Sequence, residues 1–135
     1  MVGTGMKWTL RARFEEVLAR VPERLQAEGF SVMTRIDVKA TMKEKLGIDF
    51  RRYQILGTCE PNLALEALSL DLGAGVMMPC SVVVYECDDG STGVEAVDPV
   101  QTLARLDPRF KVVAEDVRKR LHRALAGLAG GAPAR

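Results

Sequence analysis

The sequence predicts an α+β fold of two layers: a mainly antiparallel sheet of about five strands with helices packed on one face. Segments with alternating apolar residues are interspersed with segments whose apolar residues recur every three to four positions, the periods of half-buried strands and amphipathic helices. A tight hairpin signal, Asp88-Asp89-Gly90-Ser91, joins only the last two strand segments. A long helical pattern near each end of the chain can cover one face of such a sheet.

The first half of the chain contains three strand patterns and two helix patterns. The strands are predicted over residues 5–12, 30–36 and 53–58, the first helix runs from Phe14 to a stop at Gly29, and the second from 38 to a stop at Gly47. Asp37 suits the cap of the second helix. Pro22 lies inside the first helix, where proline removes a backbone hydrogen bond and crowds the preceding turn. We therefore expect a kink or a restart at this position.

The second half of the chain continues the succession of strand and helix patterns. Pro61 suits the first position of a third helix, and strands are predicted over residues 80–86 and 92–97. Asp98-Pro99 and Asp107-Pro108 both resemble a cap followed by a first helical residue, so each is predicted to open a helix. The second of these is long and carries a continuous apolar stripe.

The composition, with 47% hydrophobic and 27% charged residues among 135, is that of a folded globular protein. We expect a single domain over residues 1–135, with about 129–135 as a frayed tail. The net charge of +1 disfavours nucleic acid as a partner. No apolar stretch approaches the roughly 20 residues that cross a bilayer, and no secretory signal is recognisable. The sequence therefore predicts a cytoplasmic protein with no membrane partner and with reduced thiols.

Two of the three cysteines lie at the mouths of predicted elements. Cys59 precedes the helix that starts at Pro61, and Cys80 begins the strand over 80–86. Because a helix start favours an anion, we expect a lowered pKa for Cys59. If the third and fourth strands bring their ends together, the two thiols suit redox chemistry, a soft metal such as Cu(I), or the carriage of sulfur or an acyl group. The alternative is that both cysteines are buried packing residues.

Three segments together resemble the domain-of-unknown-function family 302. They are residues 30–47, residues 53–67, which include Gly57-Thr58-Cys59-Glu60-Pro61-Asn62, and residues 78–86. The resemblance spans nearly the whole chain, and it implies a TATA-box-binding-protein-like α+β fold with a curved antiparallel sheet, often as a dimer. Related members typically have Asn at the position of Glu60. The family is uncharacterised, so the resemblance implies a fold without an activity, and the fold name is no evidence for DNA binding.

The remaining reactive residues form no complete motif. His122 is the only histidine, which excludes zinc sites of the usual composition, and we expect it to be solvated at the edge of a helix. The basic cluster within residues 118–123 is interpreted as a solvated helix face. Cys87, beside the hairpin turn, is interpreted as unrelated to the other cysteines. Met77 and Met78 are packing residues or soft ligands, with packing as the default.

Functions of different classes stay open at this point. The first is a small cytoplasmic binding or accessory domain, homodimeric, with an unidentified small ligand or partner and with Cys59, Glu60, Pro61, Asn62 and Cys80 as ligand-binding residues. The alternative is a thiol-dependent enzyme, or a carrier of sulfur or a soft metal, in which Cys59 acts with Cys80. A purely structural interaction module is a third hypothesis. No cofactor motif or metal site is recognisable, so the sequence favours binding over catalysis. A dimer is expected because a five-stranded sheet has edges and an exposed face.

Overall fold

The computed structural model describes residues 5–130, which form a five-stranded sheet with the strand order β1-β5-β4-β3-β2. The strands are β1 (Gly5–Leu10), β2 (Ser31–Asp37), β3 (Tyr53–Cys59), β4 (Cys80–Glu86) and β5 (Thr92–Val97). The helices are α1 (Phe14–Ala27), α2 (Val38–Leu46), α3 (Pro61–Leu70), α4 (Leu103–Leu106) and α5 (Lys111–Gly130). All neighbouring strands are antiparallel. The predicted α+β fold with a mainly antiparallel sheet is confirmed.

The core lies between one face of the sheet and the two long helices, α1 and α5, which also contact each other. Because strand side chains alternate between faces, only one residue in two points into this layer. The fully buried side chains include Leu56, Val82, Val84 and Val94 from the sheet, Val17, Val21 and Leu25 from α1, and Leu121 and Leu125 from α5. The apolar stripes that predicted the two helices are therefore the surfaces that they bury.

Helix α1 continues through Pro22, so the predicted restart is absent. Proline costs this helix one backbone hydrogen bond. The flanking residues Val21 and Leu25 are completely buried, and helical stability in proteins comes mostly from such packing. Burial of the apolar face thus outweighs the local cost of the proline.

The prediction of a helix that begins at Asp98-Pro99 is wrong. Asp98 accepts a hydrogen bond from the N–H of Val100 at 3.0 Å and pairs with Arg118 at 2.9 Å, so the segment forms a turn. Helix α4 begins only at Leu103. At the second predicted cap, Asp107 accepts from the N–H of Arg109 at 2.8 Å, and the 3₁₀ segment Pro108–Phe110 leads directly into α5.

The ends of two predicted segments also differ from the structure. Strand β1 ends at Leu10, two residues before the predicted end, because the chain turns there into α1. Helix α5 extends to Gly130, so residues 129 and 130 are helical and do not belong to a tail. The rest of the predicted tail, residues 131–135, lies outside the described residues.

The second face of the sheet, here called the open face, carries Lys7, Ile36, Tyr53, Ile55, Val83, Tyr85 and Glu95. None of these side chains is buried. The rings of Tyr53 and Tyr85 stack with centroids 5.4 Å apart, and the Tyr85 hydroxyl donates to the Glu95 carboxylate. Burial and this carboxylate hold the pKa of Tyr85 well above its usual range. The open face is therefore mixed, with apolar and aromatic residues around one carboxylate.

Candidate functional site

The end of β3 and the start of β4 bring the two predicted thiols to the same place. Thr58 of β3 is paired with Cys80 of β4, so Cys59 lies one residue further along the neighbouring strand. Ladder spacing places the Cα atoms of Cys59 and Cys80 about 6 Å apart. This distance is inside the roughly 7 Å limit for bridging two cysteines, which also requires their side chains to converge. Alternation along the strands directs the two side chains toward opposite faces, yet both line one pocket because it lies at the end of the sheet.

This pocket, here called the dithiol pocket, is enclosed by the ends of β3 and β4, by α3 and by the start of α5. It is lined by Phe30, Thr58, Cys59, Glu60, Leu63, Ala64, Ala67, Met77, Met78, Pro79, Cys80, Val97, Pro99, Thr102, Leu103, Val113 and Val117. Its volume is about 40 Å³, whereas one water molecule needs roughly 10–15 Å³ and organic ligands occupy pockets of roughly 300–1,000 Å³. The pocket therefore has room for an ion or a group of a few atoms.

Both thiols have raised pKa values. Burial, with a smaller contribution from the charge of Cys59, raises the pKa of Cys80 to about 11. Burial also raises the pKa of Cys59, and the carboxylate of Glu60 adds to this effect. The expected lowering of the pKa of Cys59 by the helix start is therefore wrong. Because the thiolate and not the thiol is both the nucleophile and the metal ligand, neither cysteine is activated for nucleophilic attack at neutral pH, and a metal ion would have to displace the thiol protons.

Glu60 is the N-cap of α3 and is 9% exposed. Its Oε1 accepts a hydrogen bond from the N–H of Leu63 at 2.7 Å, and its Oε2 accepts from the side-chain amide of Asn62 at 3.5 Å. The same Oε2 lies 3.9 Å from Nη1 of Arg120. The carboxylate thus occupies the helix start that was expected to stabilise a thiolate at Cys59.

Gly57 allows the segment before Cys80 to lie close against β3. A Cβ at Gly57 would overlap Oγ1 of Thr34 and would lie 2.9 Å from Cγ of Pro79. The Met78–Pro79 peptide bond is cis, and Oγ1 of the buried Thr58 donates to the carbonyl of Cys80 at 3.1 Å. The contacts of Gly57 and Thr58 define the start of β4 and so the position of Cys80 in the pocket.

Comparison with known proteins identifies the family of this chain. The family model described as "Domain of unknown function DUF302" matches residues 6–128. The chain belongs to the DUF302 family. A crystal structure described as an uncharacterized conserved protein DUF302 from Bacillus stearothermophilus is 31% identical, with a TM-score of 0.85 over 93% of this chain and 98% of that one. No curated protein matches the chain. The resemblance seen in the sequence is confirmed.

In this DUF302 chain, the dithiol pocket includes three of the five residues predicted for ligand binding. Cys59, Glu60 and Cys80 line it, whereas Pro61 and Asn62 are exposed at the start of α3 and are not among its lining residues. The sequence analysis missed the walls, to which α3 contributes Leu63, Ala64 and Ala67 and α5 contributes Val113 and Val117. The apolar stripes of these helices were the available signal, but a stripe does not distinguish a pocket wall from the core.

The other reactive residues are outside the dithiol pocket. His122 is exposed on α5, with its ring 5.6 Å from that of Trp8, as expected for a solvated edge. Cys87 adjoins the hairpin at the far end of β4. The arginines of the basic cluster pair with acidic side chains: Arg118 with Asp98, Arg120 with Asp116 and Glu60, and Arg123 with Glu28. This pairing agrees with the interpretation of the cluster as a helix face rather than an anion site.

Two features are absent from residues 5–130. Within this range, no three His, Cys, Asp or Glu residues are grouped so that they could hold a metal ion. No helix in the same range is long and apolar enough to cross a membrane.

Proposed function

We propose that this DUF302 chain is a small binding domain that takes a ligand of a few atoms into the dithiol pocket. The observation that carries the proposal is that Cys59 and Cys80, from different strands, line one mainly apolar pocket of about 40 Å³. Apolar walls with a few polar groups at defined positions are typical of ligand sites. The small volume restricts the ligand to an ion or a small group.

The raised pKa values argue against thiol-dependent catalysis. A nucleophilic cysteine needs a lowered pKa or an adjacent base, but burial raises the pKa of both thiols and the only histidine lies outside the pocket. The proposal places the domain in the cytoplasm, because there thiols stay reduced and available.

We also propose that two copies pair through the open face. Ile36 is 49% exposed there, and Ile55 and Val83 are half-buried in the isolated chain. β1 and β2 are the edge strands of the sheet, and unpaired edges and apolar faces are commonly covered by another protein surface.

The binding proposal is tested by labelling with reagents of graded size. The protein is the Cys87→Ser variant, which leaves only the two pocket thiols, and the reagents are methyl and benzyl methanethiosulfonate. We expect the methyl reagent to label Cys80 in the folded protein and the benzyl reagent to label it about tenfold more slowly or less, because the benzyl group exceeds the pocket volume. Peptide mass spectrometry gives the rate at each cysteine.

A matched pair of variants controls for access. Ala64→Leu adds a side chain to the pocket wall and should slow methyl labelling of Cys80, whereas Ser69→Leu adds the same side chain at an exposed position of α3 and should leave the rate unchanged. Equal rates with both reagents, or no labelling of Cys80 until the protein unfolds, would rule out a small accessible binding pocket.

A further inference from the structure

We propose that the ligand of the dithiol pocket is a soft monovalent metal ion, Cu(I), held by Sγ of Cys59 and Sγ of Cys80 with a thioether from Met77 or Met78. This inference rests on the proposed binding function and names its ligand. The four sulfur-bearing residues Cys59, Met77, Met78 and Cys80 all line the same pocket. Thiolate and thioether sulfurs are the donors that select Cu(I) among the common metals.

The side-chain oxygen atoms of the residues that line the pocket are already engaged in hydrogen bonds. Oε1 of Glu60 accepts from the N–H of Leu63 at 2.7 Å and its Oε2 faces Asn62 and Arg120. Oγ1 of Thr58 donates to the carbonyl of Cys80. The sulfur atoms, by contrast, have no such partner among the hydrogen bonds of residues 5–130. Sulfur is therefore the donor type that the pocket can offer to a ligand.

The volume and the charge balance also fit an ion. A volume of about 40 Å³ admits a metal ion without displacement of the walls, but not an organic ligand of ordinary size. On binding, one Cu⁺ replaces the two thiol protons, which leave to solvent, and the resulting bis-thiolate centre carries one negative charge with no change of oxidation state. Arg120, whose Nη1 lies 3.9 Å from Oε2 of Glu60, offsets the charge of that carboxylate beside the centre.

The same donor set discriminates against zinc. Structural Zn²⁺ is almost always held by four ligands drawn from Cys, His and carboxylate, and within residues 5–130 no three such residues are arranged so that they could hold a metal ion together. Two thiolates suffice only for a metal that accepts low coordination numbers and soft ligands. Retention of Cu(I) without retention of Zn²⁺ is thus the specific expectation.

The experiment is an anaerobic titration of the reduced, full-length protein with Cu(I) against the chromophoric chelator bicinchoninate. We expect one Cu(I) per chain to be withdrawn from the chelator, with a thiolate-to-copper absorption band in the ultraviolet. X-ray absorption at the copper edge should show a first shell of sulfur only. Zn²⁺ titrated in parallel against a zinc indicator should not be retained.

Matched variants locate the ligands. Cys59→Ser and Cys80→Ser should each lower the Cu(I) affinity by about 100-fold or more, since loss of even an outer-shell partner of a metal ligand costs roughly 10–100-fold. Met77→Leu or Met78→Leu should lower it by about tenfold, and Cys87→Ser should leave it unchanged. Circular dichroism confirms that each variant is folded, and the copper-edge spectrum of the unaltered protein does not depend on any variant folding.

Three results would overturn the copper proposal: no stoichiometric Cu(I) retention, a first shell that contains nitrogen or oxygen, or an affinity that depends on Cys87 and not on the pocket cysteines. If copper binding fails while Cys80 still discriminates between methyl and benzyl reagents, the pocket binds a small ligand that is not Cu(I). If both experiments fail, the proposed binding function fails as well.

Discussion

At the scale of single residues, burial and the charge of Glu60 together outweigh the effect of the helix start on the pKa of Cys59. A helix N-terminus carries roughly half a positive charge, which by itself would favour a thiolate at Cys59. Here that terminus is capped by a full carboxylate, which accepts from the N–H of Leu63 and opposes the ionisation of Cys59. A cysteine followed by a helix start is therefore not sufficient to predict a reactive thiol, because burial and the capping residue also act on its pKa.

The raised pKa of Cys80 predicts a loss of stability at alkaline pH. The folded state holds the thiol proton up to a pKa of about 11, against 9.0 for an ordinary cysteine, so the unfolded state loses its proton first as the pH rises. The stabilisation is complete below pH 9 and is lost between pH 9 and 11. At pH 10 the ionisation of this thiol should make the free energy of unfolding about 1 kcal/mol lower than at pH 8.

The measurement is urea denaturation from pH 7 to 10.5 for the unaltered protein, Cys80→Ala and Cys87→Ala. Other groups titrate in this range, so the relevant quantity is the difference between curves. The stability of Cys80→Ala should fall less steeply above pH 9, while Cys87→Ala should follow the unaltered protein. Parallel curves for all three would show that Cys80 ionises as freely in the folded state as in the unfolded one.

At the scale of elements, Gly93 determines how the β4–β5 hairpin presents the open face. A Cβ at Gly93 would lie 2.6 Å from the ring of Tyr85, so the ring rests on the glycine. In this position the Tyr85 hydroxyl reaches Glu95, and the ring stacks on Tyr53. The glycine is thus needed for close approach rather than for an unusual backbone angle.

Gly93→Ala should destabilise the protein by about 1–3 kcal/mol, the usual cost of forcing an atom into a packed site. The cost should persist in a Tyr85→Phe background, which keeps the ring, and should largely disappear in a Tyr85→Ala background, which removes it. Urea denaturation of the single and double variants gives the coupling free energy. A cost that is the same in all three backgrounds would mean that the ring does not occupy the space above Gly93.

Local patterns predicted the regular elements better than the connections. The stripes of α1 and α5 and the alternation in β1 and β4 follow directly from burial on one side, so their period is visible in the sequence. Asp98-Pro99 carries the same cap signal as a helix start, but the carboxylate is engaged by Arg118, which lies 20 residues away. Likewise, helix α1 tolerates Pro22 because its apolar face is buried against residues that are distant in the sequence. Contacts between remote segments decided both cases, and a local pattern does not contain them.

At the scale of the whole molecule, the candidate site is a product of topology. Cys59 and Cys80 are separated along the chain by α3 and a 3₁₀ segment, and the antiparallel pairing of β3 with β4 returns the chain to the same end of the sheet. The sequence therefore predicted that the two thiols meet only if the third and fourth strands bring their ends together. The walls from α5 and from the turn after β5 could not be predicted, since their positions depend on how the terminal helix packs across the sheet.

The open face leads to the last prediction, which concerns assembly. Ile36 of the edge strand β2, Ile55 of β3 and Val83 of β4 form the apolar part of this face. Association of two copies about a two-fold axis would bury the same residues from both chains, the commonest arrangement among soluble homo-oligomers. Light scattering at micromolar concentration should therefore give about twice the chain mass of 14.8 kDa.

Charge substitutions locate the contact. Ile36→Glu and Val83→Glu place a carboxylate in the proposed interface, where it would lose hydration without a partner, and should shift the mass toward that of one chain. Val112→Glu makes the same change on the outer surface of α5, where Val112 is 73% exposed, and should leave the mass unchanged. A single-chain mass for the unaltered protein at high concentration would contradict pairing through any surface. A dimer that dissociates only with Val112→Glu would move the interface to the helical side, because the carboxylate would then act on α5 and not on the sheet.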